Sequence, residues 1–223
     1  MRVCTRQKLC SPEPLEMVLN MESLLIIVVQ ILIVLFSIVL HEVAHGAMAF
    51  SLGDDTAKHL GRLTLNPIKH LDLFGSIILP IMTFALTGFV FGYAKPVPYN
   101  PNNLNDRKYG PAKVAAAGPL TNIIIAVLFG LTLRFLPIAS GSQFSQLLQF
   151  AVLMNLVLAI FNLVPIPPLD GHWFVLTFVP DRYYQFKASY LRFGYVLLIF
   201  FLFYGFVLIR PVVFWLFKLI TGI

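Results

Sequence analysis

The chain has 223 residues, of which 58% are hydrophobic and 12% charged, and its mean hydropathy is +0.84. Soluble globular domains carry about 25% charged residues, so this composition excludes an ordinary soluble domain, a disordered chain and a disulfide scaffold. The net charge of +6 comes from 16 basic and 10 acidic residues without a basic cluster. We therefore expect no nucleic-acid partner and assign the cations to loops that orient the chain in a lipid bilayer.

Apolar segments alternate with polar loops along the chain. A bilayer core about 30 Å thick requires about 20 apolar residues in a helix. Residues 1–22 are polar and contain prolines, and we predict a dispensable tail there because Met17 or Met21 would serve equally well as the first residue. Residues 23–223 are predicted to form one membrane-embedded domain. Its apolar segments cover residues 23–52, 74–91, 111–136, 147–164 and 194–223, the last interrupted at Arg210 and Pro211.

The segment 74–91 differs from the other apolar segments because it contains three residues that interrupt a helix, namely Gly75, Pro80 and Gly88. We predict that it is a re-entrant or bent membrane segment. Short alternating stretches at 62–65 and 94–99 are predicted to be edge strands, since prolines in the second stretch exclude a central position in a sheet. The fold class is therefore an all-α, multi-pass membrane protein with about four full transmembrane helices, one re-entrant or bent segment and short edge strands.

Two histidines stand four residues apart at the end of the first apolar segment, in the sequence HEVAH. Residues four apart share one face of a helix, so His41 and His45 are placed to bind one metal ion. Glu42 is offset by about 100° around the helix, beside the metal, where it is positioned to accept a proton from a water molecule. This HExxH pattern is typical of zinc hydrolases, and ionisable residues inside a membrane are costly unless they are paired or functional.

A catalytic zinc site needs a third protein ligand and leaves the fourth position to water. Asp170 is our candidate, because it follows the 147–164 helix and a run of prolines that opens the backbone; such backbone is tolerated in a membrane only where it lines a protein cavity. The remaining aspartates are interpreted as solvated turn residues, namely Asp54, Asp55, Asp72, Asp106 and Asp181.

The two motifs together resemble those of the site-2 protease family of intramembrane zinc metalloproteases. HEVAH at 41–45 is similar to the family's HExxH, and NLVPIPPLDG at 162–171 is similar to its second signature, whose aspartate supplies the third zinc ligand. GPLTN at 118–122 resembles a segment of the family's intervening helix. The loop sequences GRLTLNP at 61–67 and AKPVP at 94–98 resemble a compact prokaryotic branch without a PDZ domain.

The resemblance implies hydrolysis of peptide bonds in or near transmembrane helices of membrane-protein substrates, the reaction of regulated intramembrane proteolysis. One Zn²⁺ would be bound by His41, His45 and Asp170, with Glu42 as the catalytic base. Asn162 or Asn122 is a candidate for stabilising the oxyanion or positioning the substrate, although a hydrogen bond between helices explains either asparagine equally well. His59, His70 and His172 could transfer protons or control access to the site. The simpler interpretation is that they are loop histidines with neither role.

The order of the segments tests whether these ligands meet. His41 lies about 27 Å along a helix that begins at Ser23, hence near its second end, and Asp170 also follows the end of a helix. The two share one side of the membrane only if residues 53–111 cross it an even number of times, so a single straight crossing by 74–91 is excluded. The loops on that side carry ten of the 16 cations, which places the site toward the cytoplasm.

Other functions remain open at this stage. A non-catalytic membrane metal-binding protein or a transporter would also place histidines in the bilayer, although transporters usually show repeated halves with paired broken helices, and this chain has no repeat. A membrane-tethered zincin of soluble type would require a soluble domain.

Overall fold

A computed structural model describes residues 14–87 and 92–223 of the chain. The secondary structure of these residues consists of helices joined by loops. The helices are α1 (Pro14–Ser51), α2 (Thr56–His59), α3 (Leu79–Thr87), α4 (Gly110–Phe135), α5 (Gln143–Leu163), α6 (His172–Phe178), α7 (Tyr184–Arg192), α8 (Gly194–Tyr204) and α9 (Phe206–Thr221). A π-helical turn, Leu73–Ile78, leads directly into α3, and three short 3-10 turns occupy Pro67–His70, Pro101–Asn103 and Asp181–Tyr183.

Three helical segments are long and apolar enough to cross a membrane: Met21–Ser51, Gly110–Phe135 and Gln143–Leu163. A fourth span results if Asp181–Arg192 and Gly194–Tyr204, which meet at an angle of 56°, are counted together. The prediction of an all-α, multi-pass protein with about four spans is confirmed. Because α1 begins at Pro14, residues 14–22 extend the first helix, and the dispensability of 1–22 stays a prediction.

Small residues let the three long helices approach one another closely. The face of α4 that packs against α1 and α5 includes the buried Ala115, Gly118 and Ala126, and small residues are the usual contact residues between membrane helices. One apolar cluster, formed by Ala49, Leu104 and Val114, joins the end of α1 to the start of α4. These two helices are therefore antiparallel, and the end of α1 lies beside the start of α4.

A second apolar cluster lies further along the bundle. Ala126 of α4, Val152 and Leu156 of α5, and Val213 of α9 pack together there. Arg134 near the end of α4 donates a hydrogen bond to the Leu219 carbonyl of α9 (2.9 Å). The last helix thus stabilises α4 and α5 from the side, away from the end at which α1 stops.

The chain before and after the segment 76–92 lies at one level. The Tyr93 N–H donates to the Gly75 carbonyl (2.9 Å), and the Lys95 N–H donates to the His70 carbonyl (2.9 Å). The chain on either side of 76–92 is therefore joined at one level, as expected for a re-entrant segment and as the shared site of His41 and Asp170 requires. Residues 88–91 of the predicted segment, including Gly88, lie outside the described residues.

One detail of the predicted fold is wrong. No strand occurs at 62–65 or 94–99, or elsewhere among the described residues. The reason at 94–99 is that Pro96 and Pro98 have no N–H, while the remaining N–H groups of Lys95 and Val97 are hydrogen-bonded to the His70 carbonyl and the Glu42 carboxylate instead of a neighbouring strand.

The helix that covers the last apolar segment is divided at Gly205, and Arg210 and Pro211 lie within α9. Leu208 N–H and Ile209 N–H both donate to the Gly205 carbonyl (2.9 and 3.1 Å), which starts a new helix there. A side chain at 205 would overlap the Phe201 ring, since a Cβ would lie 2.6 Å from its Cγ. Pro211 lies inside α9, where its missing N–H removes a single helical hydrogen bond.

Candidate metal centre

The first two predicted ligands project from the same face of α1, as their spacing requires. The imidazole rings of His41 and His45 lie 4.6 Å apart between centroids in an edge-to-face arrangement with an interplanar angle of 85°. Their Nε2 atoms are 3.0 Å apart. Both side chains are buried, with 6% and 8% of the residue surface exposed. Two nitrogen ligands therefore converge on one point inside the protein.

Asp170 reaches the same point because the chain reverses after α5. Helix α5 ends at Leu163 ahead of Pro165, and the Gly171 N–H then donates back to the Asn162 carbonyl (2.7 Å). Only glycine fits at 171, since a Cβ would contact the Leu163 and Val164 carbonyl oxygens far inside van der Waals distance. This close return aims the preceding carboxylate at the two histidines.

The Asp170 carboxylate lies within bonding distance of both imidazoles. Its Oδ2 is 3.1 Å from His41 Nε2 and 3.2 Å from His45 Nε2. Burial by itself raises the pKa of Asp170, but the hydrogen bonds to the two imidazoles outweigh that effect and lower the pKa. The carboxylate is therefore ionised at neutral pH, which is the form that binds a metal.

The three side chains fit a zinc ion. Ligand atoms about 2.0–2.1 Å from zinc at tetrahedral angles lie about 3.3 Å from one another, close to the separations found among His41, His45 and Asp170. Helix α4 leaves space against them at Gly118, where a Cβ would lie 2.6 Å from His41 Nε2 and closer still to His45 Nε2. Three ligands leave one position for water, which is the arrangement of catalytic rather than structural zinc.

Contacts outside the ligand set orient His45 and anchor α1. The Nδ1–H of His45 donates to the Val114 carbonyl of α4 (2.7 Å), which leaves Nε2 for a metal. One turn before His41, Ser37 accepts a hydrogen bond from the Asn155 side chain of α5 (2.9 Å), and both residues are buried. This bond fixes α1 against α5, the helix that leads to Asp170. His41 Nδ1 is buried and has no hydrogen-bond partner among the described residues.

Glu42 lies on α1 between the two histidines and is held by a neighbouring segment. Its Oε2 accepts a hydrogen bond from the Val97 N–H (2.8 Å). Val97 is buried, and its Cγ1 would lie 2.7 Å from a Cβ at Gly46, so the backbone at 97 packs directly against α1. The sequence predicted that Glu42 stands beside the metal ligands, but it gave no sign of the backbone donor that holds the carboxylate.

Asp54 is a functional candidate that we expected to be a solvated turn residue, and that interpretation is wrong. It is completely buried and accepts hydrogen bonds from the Thr56 hydroxyl (2.6 Å), the Asn100 N–H (2.7 Å) and the Asn103 amide (2.9 Å). Burial opposes its ionisation, but these hydrogen bonds outweigh burial and lower the pKa of Asp54. The Asp54 carboxylate anchors the segment that carries Val97. In the sequence, only Pro96 and Pro98 indicated that this segment has a restricted backbone conformation.

The other predicted polar residues take different positions. Asn122 is completely buried one turn beyond Gly118, and neither of its amide atoms has a partner among the described residues. The Asn162 amide donates within its own helix to the Leu158 carbonyl (2.9 Å).

None of the three loop histidines lies in the metal-ligand cluster. His59 is exposed, His70 is buried with its Nε2 bonded to the Thr64 carbonyl (2.8 Å), and His172 donates to the Leu169 carbonyl (2.6 Å). Burial lowers the pKa of His172.

Comparison with known proteins adds an independent observation. The profile described as "Peptidase family M50" matches residues 137–203, which contain α5 and Asp170. The chain is 39% identical over 158 residues to "Putative zinc metalloprotease YwhC" of Bacillus subtilis, an alignment that covers 67% of this chain and 68% of the relative. "Putative zinc metalloprotease MJ0611" of Methanocaldococcus jannaschii is 34% identical over 153 residues, or 67% of this chain and 70% of the relative.

A third relative is longer. "Putative zinc metalloprotease Rip2" of Mycolicibacterium smegmatis is 34% identical over 139 residues, and the alignment covers 62% of this chain but only 52% of that protein. No solved structure matches the chain.

Proposed function

Because this chain is an integral membrane protein that belongs to peptidase family M50, the site-2 protease family, we propose that it is an intramembrane zinc metalloprotease. It hydrolyses peptide bonds in or near transmembrane helices of membrane-protein substrates. The convergence of His41, His45 and Asp170 within one ligand cluster carries this proposal. The cluster draws on two separate motifs, 125 positions apart, that only the fold brings together.

We assign His41 Nε2, His45 Nε2 and the Asp170 carboxylate as the ligands of one Zn²⁺. When bound, zinc lowers the pKa of a water molecule toward about 7 and polarises a carbonyl group. The Val114 carbonyl fixes the His45 ring with Nε2 toward the ion. Gly118 keeps helix α4 clear of the same space.

Glu42 is the proposed general base. Its Oε2 is held by the Val97 N–H, which leaves Oε1 to accept a proton from the attacking water. The carboxyl group then delivers that proton to the nitrogen of the departing amine as the C–N bond breaks. Proton transfer by a positioned group accounts for about 10²–10⁴-fold of an enzymatic rate, so loss of this carboxylate is expected to abolish most activity without removing a zinc ligand.

The two candidate asparagines, Asn122 and Asn162, differ in how well the structure supports a role in stabilising the oxyanion or positioning the substrate. Asn122 keeps this role as a proposal, because its amide is buried without a partner one turn from Gly118. Asn162 uses its amide N–H within α5, which favours a structural role.

We place the protein in the prokaryotic cell membrane with its active site toward the cytoplasm. The loops 53–72 and 93–113 adjoin the end of the bundle that holds the metal centre and contain seven of the 16 cations, and three more lie in 171–193, which includes α6 and α7. Basic residues concentrate on the cytoplasmic side of membrane proteins. The relatives named above come from bacteria and an archaeon.

The test is cleavage of a fluorogenic model transmembrane peptide by the purified full-length protein. We expect cleavage that a chelator abolishes and added zinc restores. Glu42→Gln should bind zinc like the wild type and lose at least about 100-fold in rate, whereas Glu22→Gln, on the same helix about 30 Å away, should behave like the wild type. Zinc binding without cleavage by the wild-type protein would instead favour a non-catalytic metal-binding protein or a transporter.

A further inference from the structure

A segment of extended chain, residues 95–100, lies against the metal centre and is fixed at three points. The Lys95 N–H donates to the His70 carbonyl (2.9 Å), the Val97 N–H to Glu42 (2.8 Å) and the Asn100 N–H to the buried Asp54 (2.7 Å). Tyr99 stands between the last two anchors. The backbone position of Tyr99 is therefore set by the same segment that holds the catalytic glutamate.

The Tyr99 side chain carries a polar atom that the protein leaves unused. Its ring packs against the cluster of Ala49, Leu104 and Val114, and its centroid lies 6.1 Å from that of Trp173, three residues after Asp170. The hydroxyl oxygen is buried and has no hydrogen-bond partner among residues 14–87 and 92–223. Buried hydroxyl groups are normally paired, so this phenol is a hydrogen-bond donor that the described residues leave available to a bound molecule.

The hydroxyl is a hydrogen-bond donor under physiological conditions. A phenol has an ordinary pKa of about 10, and burial together with the negative charge of Asp170 raises the pKa of Tyr99 further. The group therefore stays protonated near neutral pH. It can donate a hydrogen bond to a developing negative charge without giving up its proton.

We propose that the Tyr99 hydroxyl is a catalytic residue of the peptidase reaction, which donates a hydrogen bond to the oxyanion formed from the scissile carbonyl. This inference rests on the proposed function. The water oxygen forms a bond to the carbonyl carbon, the C=O π electrons move to the oxygen, and Glu42 takes the water proton. When the C–N bond breaks, the electrons return to re-form C=O, and the proton goes from Glu42 to the amine nitrogen. Tyr99 keeps its proton throughout.

Tyr99 is better placed for this role than the asparagines that the sequence suggested. Asn162 uses its N–H within α5, and Asn122 is completely enclosed between helices. The side chain of Tyr99 is partly exposed, and it belongs to the segment whose Val97 N–H holds Glu42. Its hydroxyl would act on the oxyanion together with a zinc ion held by the three ligands.

The decisive variant is Tyr99→Phe, which removes the hydroxyl and keeps the ring. The assay is kinetics of the full-length protein with the fluorogenic transmembrane peptide. Loss of one oxyanion donor lowers kcat by about 10²–10³-fold, and KM should stay the same because the bond forms only in the transition state. Tyr93→Phe, at the start of the same loop, is the matched control and should keep the wild-type kcat.

Binding of a peptide phosphinate, whose tetrahedral phosphorus resembles the intermediate, provides a second measurement. Tyr99→Phe should weaken its binding by a factor similar to the loss in kcat, with unchanged zinc content and thermal midpoint. An unchanged kcat, a change in KM alone, or a lower thermal midpoint that accounts for the lost activity would each overturn the role of Tyr99 while leaving the protease intact. Absence of chelator-sensitive cleavage by the wild type would overturn the proposed function itself, and this inference with it.

Discussion

Gly118→Ala adds one methyl group to helix α4 at the point where it faces the metal ligands. The new Cβ would lie 2.6 Å from His41 Nε2, whereas ordinary contacts begin at 3.4 Å, so the imidazole must retreat by about 0.8 Å. Metal sites tolerate errors of only about 0.2 Å in ligand distance. Loss of groups that merely support the ligands costs about 10–100-fold in metal affinity, so displacement of a ligand should cost more than about 100-fold.

The fold should survive this substitution. Alanine favours a helix over glycine by about 1 kcal/mol, and overpacking costs about 1–3 kcal/mol, so the net destabilisation is at most about 2 kcal/mol. Zinc affinity, measured by competition with a fluorescent chelator, is the assay. Gly130→Ala is the matched control. Gly130 lies on the same helix as Gly118, about 18 Å further along it, and a methyl group there would contact the Ile220 side chain of α9. Wild-type zinc affinity in Gly118→Ala would refute the proposed position of the ion.

Four further substitutions test the surroundings. Asp170→Ala should lower both zinc content and cleavage, measured by metal analysis and peptide assay. Asn155→Ala and Ser37→Ala should each cost about 0.6–1.7 kcal/mol of stability, and denaturation of the double variant should show less than the sum. The pKa of Asp54 is lowered in the fold, so its ionised form stabilises the protein above about pH 4. That stabilisation is lost as pH falls through the lowered pKa, and the thermal midpoint of Asp54→Asn should lack this acid dependence.

The sequence was most informative where spacing and membrane physics act together. Residues 41 and 45 share a face in any helix, and a pair of ionisable residues inside an apolar helix is costly without a function. The requirement that His41 and Asp170 share one membrane side led to the re-entrant interpretation of 74–91, and the bond from Tyr93 to Gly75 agrees with it. These inferences needed no knowledge of side-chain packing.

The sequence was uninformative where a residue's role depends on contacts distant along the chain. Asp54 reads as a turn aspartate, yet it is buried because Asn100 and Asn103, nearly fifty residues later, surround it. Alternation at 94–99 suggested a strand, but the available N–H groups bond to a helix side chain and a turn carbonyl. The last helix is divided at Gly205, which lies against the Phe201 ring, whereas Pro211 was the stronger local signal.

X-ray absorption spectroscopy at the zinc edge, on the purified protein with one equivalent of zinc, tests the central claim most directly. The predicted spectrum contains only nitrogen and oxygen neighbours at about 2.0–2.2 Å, with two imidazoles, and Asp170→Ala should change the first shell. Sulfur neighbours at about 2.3 Å, which would assign the ion to Cys4 and Cys10, or a spectrum identical in Asp170→Ala, would contradict the three-ligand centre.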